Sequence, residues 1–229
     1  MIWTALQCAS ANDLIKVQFV QRPPYMYQTD SGAVEGLLIN RVEQIFSKAG
    51  IAMEWNLTSV NRQWDALMNP NEMTCSIGWY KSESREKIAK FTKAIYQDQQ
   101  HVLLARKQFS IQPSDRLETL LKMKRTRVLV KNKYTYGPKI DGMLKAFNTT
   151  TILSDAENQQ MVRLLIANRA DFMVTSKVEA DYLLANSDPE NDLRIVIPME
   201  MPEAEKRYIA CNRLVSDALI ERLNKAIPF

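Results

Sequence analysis

Three groups of residues in this chain are equipped to do chemistry. The first is the stretch 75–86, CSIGWYKSESRE, in which a strand-like run feeds a turn carrying Trp79, Tyr80, serines and Arg85. A guanidinium there is a planar, two-pronged donor that stays charged at any relevant pH, which suits an anionic partner. The alternative for Arg85 is a surface ion pair with Glu83 or Glu86. The second group is 21–27, QRPPYMY, where Pro23 and Pro24 stiffen the backbone and hold Arg22 and Tyr25 outward. Taken alone, this is a rigid surface turn. The third is the chain's sulfur and imidazole: Cys8, Cys75, Cys211 and a single histidine, His101. A histidine-rich metal site or a Ser-His-Asp triad would rest on His101 alone. It opens the apolar run 102–105 and reads as a strand-edge histidine without a chemical role. No catalytic residue, metal site or cofactor is expected.

The first eleven residues are apolar and end in Ala9-Ser10-Ala11, the small-x-small pattern of a secretory cleavage site, with no basic segment before it. They read either as the tail of a signal peptide or as a short extension. If export removes them, Cys75 and Cys211 remain. An even pair in an exported chain suggests a disulfide; the other reading is two buried thiols.

The elements that would position these groups follow from periodicity. The chain has 229 residues, 46% of them hydrophobic and 24% charged, which excludes a disordered chain and allows one large or two small cores. Its 30 basic and 26 acidic residues are interleaved, so the net charge of +4 gives no argument for nucleic acid. No apolar run approaches the roughly 20 residues of a membrane-spanning helix, so the chain as given reads as soluble. Residues 15–20 (IKVQFV) alternate as a strand. Leu38, Val42, Ile45, Phe46 and Ala49 recur at helical spacing, and Gly50 stops that helix. Further strands are expected at 52–57 and 74–79, with a short helix at 62–68 between them. The pattern then repeats: strands at 101–106, 127–131, 150–153, 171–175 and 194–197, with helices at 115–123, after Gly137-Pro138, and after two capping boxes, Ser154…Glu157 and Ser176…Glu179. A strand at 207–212 and a helix at 215–227 close the chain. Two β-α-β-α-β blocks imply two doubly wound α/β lobes, with a ligand cleft at the carboxyl ends of their strands.

Three motifs in order, Pro23-Pro24-Tyr25, then Trp64-Asp65-Ala66-Leu67, then Ser-x-x-Arg-x5-Phe-Thr-x-x-Ile-Tyr from Ser82 to Tyr96, closely resemble the family 3 solute-binding proteins, the amino-acid-type periplasmic receptors of ABC transporters. The resemblance runs from about residue 15 to 227 and includes Asn168-Arg169-Ala170-Asp171. It implies a type II periplasmic-binding fold: lobe 1 from 1–97 plus 201–229, lobe 2 from 98–200, and hinge crossings near 96–98 and 198–201. It implies an exported, periplasmic, monomeric receptor that closes on a small carboxylate-bearing ligand and hands it to a membrane permease. By the same resemblance Arg85 grips the ligand carboxylate, Trp64 walls the ligand side chain or packs in the lobe core, and Gly78 and Tyr80 offer hydrogen bonds beside Trp79.

The chain also departs from the family. Tyr80 is bulkier than the usual serine or threonine, and Arg22 falls near a position that is often aromatic. Ser176 stands where the family places an aspartate for the ligand's ammonium, and reads as a helix cap unless Glu179 reaches inward to substitute. The usual Gly-Thr turn is replaced by residues 132–137, from which Tyr134 or Tyr136 would face the cleft. With Arg22, Arg85 and Lys133, this points to a carboxylated, aromatic or acidic ligand. Two other functions share the fold: a dehydratase of cyclic carboxylates, for which Glu179 is the carboxylate to nominate, and a ligand-sensing module. The C-terminus is expected to fall short of many family members.

Overall fold

A computed structural model describes residues 14–228; the signal-like segment 1–11 and Cys8 lie outside them. Strand β1 (Ile15–Phe19) is followed by a small hairpin, β2 (Tyr27–Gln28) and β3 (Val34–Glu35), which pair antiparallel. Helix α1 (Leu37–Ala49) comes next, then β4 (Met53–Leu57), α2 (Val60–Met68), β5 (Thr74–Tyr80) and the one-turn helix α3 (Glu83–Glu86). Two short strands, β6 (Lys90–Phe91) and β7 (Tyr96–Gln97), lead to β8 (His101–Arg106). The second block is α4 (Leu117–Lys122), β9 (Arg127–Lys131), α5 (Pro138–Ala146), β10 (Thr150–Ser154), α6 (Asn158–Ile166), β11 (Phe172–Ser176), α7 (Lys177–Ser187) and β12 (Leu193–Val196). Strand β13 (Lys206–Cys211) and helix α8 (Asp217–Ala226) complete the chain.

These strands form two principal sheets. The first runs β4-β1-β5-β13-β6, with β7 also paired to β13; the second runs β10-β9-β11-β8-β12. The chain passes from the first sheet to the second between Gln97 and His101, and returns between Val196 and Lys206. The expected helical crossovers are present, and β1 lies parallel to both β4 and β5. Each sheet also carries antiparallel members: β13 against β5 and β6, and β8 against β11 and β12.

Period-two burial explains why the second sheet is covered on both faces. Leu103, Ala105, Val128, Val130, Phe172 and Val174 pack in one core. The intervening Leu104, Leu129 and Met173 pack in another, with Met161 and Leu165 of α6 and Leu183 of α7. In the first sheet Ile15, Val17 and Phe19 pack with Leu38, Val42 and Phe46 of α1 and with Leu219 and Leu223 of α8. Gly50 ends α1 in the left-handed region (φ 64°), its N–H donating to the Phe46 and Ser47 carbonyls. Cys75 and Cys211 face each other in the β5–β13 ladder and form a disulfide, as the cysteine count suggested.

One expected cap is corrected. Residues 150–154 pair along their whole length with β9, so Ser154 belongs to the strand and α6 starts at Asn158, behind Glu157. Ser154 Oγ accepts instead from the Ala156 N–H at 3.1 Å. The sheet ladder outweighs a local cap that was available on paper. The second capping box is half right. Ser176 Oγ caps α7 by accepting from the Glu179 N–H at 3.2 Å, but the Glu179 carboxylate is taken by Arg22, Asn158 and Thr175 instead of the Ser176 N–H.

Candidate functional site

A cavity of about 50 Å³ opens between the loops of the two sheets. The first sheet and its helices contribute Arg22, Gln63, Trp64, Ile77, Gly78, Trp79, Tyr80, Arg85 and Arg207 to it; the loop after β9 contributes Lys133, Tyr134 and Thr135.

The geometry of β5 explains the aromatic wall. Ile77 pairs with Ile209 and Trp79 with Tyr208, which leaves Gly78 as the extra residue of a bulge. Gly78 has φ 77°, and a Cβ there would lie 3.0 Å from Met26 Cε and 3.1 Å from Leu38 Cδ1. Without the bulge, Trp79 would share the face of Ile77 in the α1–α8 core. With it, Trp79 turns to the α2 side, beside Leu67 and Trp64. The two indoles lie 5.0 Å apart, centroid to centroid, and Trp79 Nε1 donates to Gln63 Oε1 at 3.0 Å. Trp64 thus packs on a core cluster and lines the cavity at once.

Arg85 lies on the first turn after β5, where Ser82 Oγ caps α3 by accepting from the Arg85 N–H at 3.4 Å. Its Nη1 donates to the Tyr80 carbonyl at 2.8 Å, and its guanidinium sits 4.8 Å from the Trp79 ring centroid and 5.7 Å from that of Trp64. Glu86, the neighbour that could have paired with it, bonds Lys81 instead at 2.7 Å. No carboxylate among the described residues forms an ion pair with Arg85, and burial lowers its pKa.

Deeper in, the part-buried Arg22 and the buried Arg207 behave differently. Arg22 reaches across from the first sheet and donates from Nε and Nη2 to the two oxygens of Glu179, each at 2.8 Å. Glu179 also accepts from Asn158 Nδ2 at 2.6 Å and from Thr175 Oγ1 at 2.5 Å. Burial alone would push the Glu179 carboxyl up. The charge and hydrogen bonds of Arg22, with Thr175, outweigh it and hold the pKa down at about 2. Burial likewise opposes the charge on Arg22, and Glu179 more than compensates, raising its pKa. Arg207 Nε donates to Asp98 Oδ2 at 2.8 Å; Nη2 sits 2.7 Å from the same oxygen as an ion-pair contact without hydrogen-bond geometry. Asp98 also accepts from the Tyr25 and Tyr80 hydroxyls. Tyr25 Oη meets Ser176 Oγ at 2.5 Å, a second link between the sheets.

Arg22, Trp64, Gly78, Trp79, Tyr80, Arg85 and Tyr134 therefore border one cavity. Tyr25 and Ser176 lie behind it in the hydrogen-bond network. Tyr136 is turned into the second core, its hydroxyl accepting from the Lys131 N–H at 2.8 Å. His101 opens β8 and is buried against Tyr80. Sequence reasoning missed Gln63, Arg207 and Asp98. Each gains its meaning from a partner that no local spacing reveals: Trp79 for Gln63, and each other for Arg207 and Asp98.

Solved structures with the same fold include an ancestral arginine-binding protein bound to arginine (TM-score 0.75, 20% identity, 94% of this chain and 91% of that one). A histidine kinase sensor domain with similarity to periplasmic binding proteins also matches (TM-score 0.75, 20% identity, 93% and 88%). So does the substrate-binding protein of an amino acid ABC transporter (TM-score 0.72, 18% identity, 93% and 91%). At these identities the likeness establishes the fold, a two-lobed α/β type II architecture. No curated protein matches the sequence. Residues 15–227 match the bacterial extracellular solute-binding proteins, family 3, and the chain belongs to that family.

Proposed function

We propose that this solute-binding protein is an exported receptor that captures a small carboxylate in the cavity beside Arg85. Its two lobes, 1–97 with 201–229 and 98–200, close over the ligand about the two chain crossings. One observation carries the reading: a partly buried guanidinium lines the cavity without a carboxylate in ion-pair contact among the described residues, Asp141 acting on it only from a distance. A buried cation left without a counter-charge is costly, and an anionic ligand supplies one. Closure follows because Lys133, Tyr134 and Thr135 would touch the ligand from the second lobe. Only a ligand with different affinity for the open and closed forms shifts their balance.

Two uses of such capture fit the relatives. Delivery to a membrane permease, with the receptor acting as a monomer in the periplasm, is supported by the family and by the transporter substrate-binding protein of like fold. Sensing is favoured by the likeness to a kinase sensor domain. Among the described residues no helix is long and apolar enough to cross a membrane. Titration calorimetry with small-angle scattering tests the shared step. Arg85→Ala is expected to weaken carboxylate binding by about 30-fold or more, since truncating one partner of a buried charge pair costs roughly 2–5 kcal/mol. Unchanged affinity would remove Arg85 from the site.

A further inference from the structure

The cavity presents donors that lack acceptors, while the carboxylates around it are already engaged. Among the described residues, Gln63 Nε2 and Trp64 Nε1 are buried without a hydrogen-bond partner, and no carboxylate forms an ion pair with Arg85. The acceptors on the same wall are taken: Gln63 Oε1 by Trp79, the Gly78 carbonyl by Arg207 Nη1 at 3.3 Å, and the Tyr80 carbonyl by Arg85. Thr135 Oγ1 donates to Asp141 and accepts from the Gly137 N–H at 3.1 Å.

The nearby carboxylates are equally committed. Glu179 accepts from four donors, with Arg22 spanning both of its oxygens. Asp98 is held by Arg207 and two tyrosines. Asp141 accepts from Thr135 and from the Tyr136 N–H at 3.0 Å. A ligand carrying an ammonium group would bury that charge with none of these carboxylates free to receive it. Releasing Glu179 for the purpose would strand the Arg22 guanidinium instead, at a similar penalty.

We propose that the cavity selects a small carboxylate that has no ammonium group and whose remaining polar atoms only accept hydrogen bonds, as in a 2-oxo acid. This rests on the reading of Arg85 as the carboxylate grip and narrows it. Arg85 meets the carboxylate, and the unpartnered N–H groups of Gln63 and Trp64 meet the further acceptors. The indole walls cover a short apolar or flat skeleton. A volume of about 50 Å³ leaves room for a few water molecules, so the skeleton is short. Arg22 plays the positive group that an amino acid would otherwise bring, and Glu179 is reserved for it.

Calorimetry with matched pairs tests this: pyruvate against alanine, 2-oxoglutarate against glutamate, and phenylpyruvate against phenylalanine. In the pair that binds, the oxo acid is expected to bind at least about 30-fold more tightly, because the amino acid must bury an unpaired ammonium. Equal or tighter binding of the amino acid overturns the selection while leaving the carboxylate reading intact. Failure of every acid to bind overturns both. Arg22→Met, which frees Glu179, is expected to move the preference toward the amino acid by about tenfold or more, and Arg22→Met/Glu179→Gln is expected to restore it. A preference unmoved by Arg22→Met removes Glu179 from the argument. If that variant does not fold, the wild-type ratios still decide.

Discussion

The rear and the mouth of the cleft use the same side chain in opposite ways. At the rear, Arg22 and Arg207 are fastened to Glu179 and Asp98, and burial is outweighed in both, by Glu179 for Arg22 and by Tyr80 together with Asp98 for Arg207. At the mouth, Arg85 faces two indoles and a carbonyl, and burial weakens its hold on the proton. Burial of a cation is unfavourable in both places. The rear resolves it within the protein, and in doing so joins the two sheets through Arg22–Glu179 and Tyr25–Ser176. The mouth leaves it unresolved, which a fold tolerates only where something else completes the site. Internally compensated charge reads as structure; uncompensated charge next to space reads as recognition.

The largest effect should come from breaking the rear. Arg22→Met leaves the Glu179 carboxylate buried without its counter-ion, and a loss of about 3–5 kcal/mol of stability is expected. The double variant Arg22→Met/Glu179→Met removes both charges and should recover most of that loss. Urea unfolding of the two variants beside the wild type measures the difference. Equal losses would mean that the pair contributes through packing rather than charge.

His101 sharpens the same contrast through pH. The residue is 2% exposed, its ring packs edge-on to Tyr80, and Nδ1 has no hydrogen-bond partner among the described residues. Burial is the main cause that lowers its pKa, from 6.5 to about 4; Arg207 and Arg22 add to it, while Asp98 and Glu179 oppose it. The unfolded chain therefore binds a proton on this histidine before the folded one does. The contribution is fully present above pH 6.5 and is lost as pH falls from there to about 4, where the loss amounts to about 3 kcal/mol. Glu179 acts in a lower window: its folded pKa is depressed from 4.5, so its share is lost between about pH 4.5 and 2. The stability of His101→Phe relative to wild type, measured at pH 7 and at pH 4.5, should rise toward the acid side. A difference that stays flat with pH would show that the imidazole is not held neutral.

Much of the mouth was legible in the sequence because its parts are local. Gly78, Trp79, Tyr80 and Arg85 fall within one strand and the turn after it, and Trp64 lies on the helix before it. The strands and the Gly50 stop were legible for the same reason, since periodicity and a left-handed cap act over a few residues. The disulfide was suggested by the cysteine count only on the premise of export, and the facing of β5 and β13 decides between it and two buried thiols. The rear was not legible, because Arg22 and Glu179 are 157 residues apart and meet only when the two sheets face each other. Glu179 offered two readings, partner in a helix cap or inward carboxylate, and only the opposing guanidinium chooses between them. Ser154 misled in the reverse direction. Its local pattern favoured a cap, but pairing of β10 with β9 supplies five register positions that a single side-chain bond cannot match.

The smallest effect on stability should come from Arg85→Met, and that smallness is informative. The long apolar side chain keeps packing on Trp64 and Trp79 while the unpaired charge is removed, so the lost cation–π contact of about 0.5–2 kcal/mol is offset by relief of desolvation. A net change within about 1 kcal/mol of wild type is expected from urea unfolding. The same substitution removes the only arginine at the mouth that no carboxylate occupies among the described residues, so binding of pyruvate, 2-oxoglutarate or phenylpyruvate should weaken by the factor given for Arg85→Ala. Stability kept while binding is lost is the signature of a group held in reserve. A destabilisation as large as that of Arg22→Met would place Arg85 among the structural arginines and erase the difference between mouth and rear.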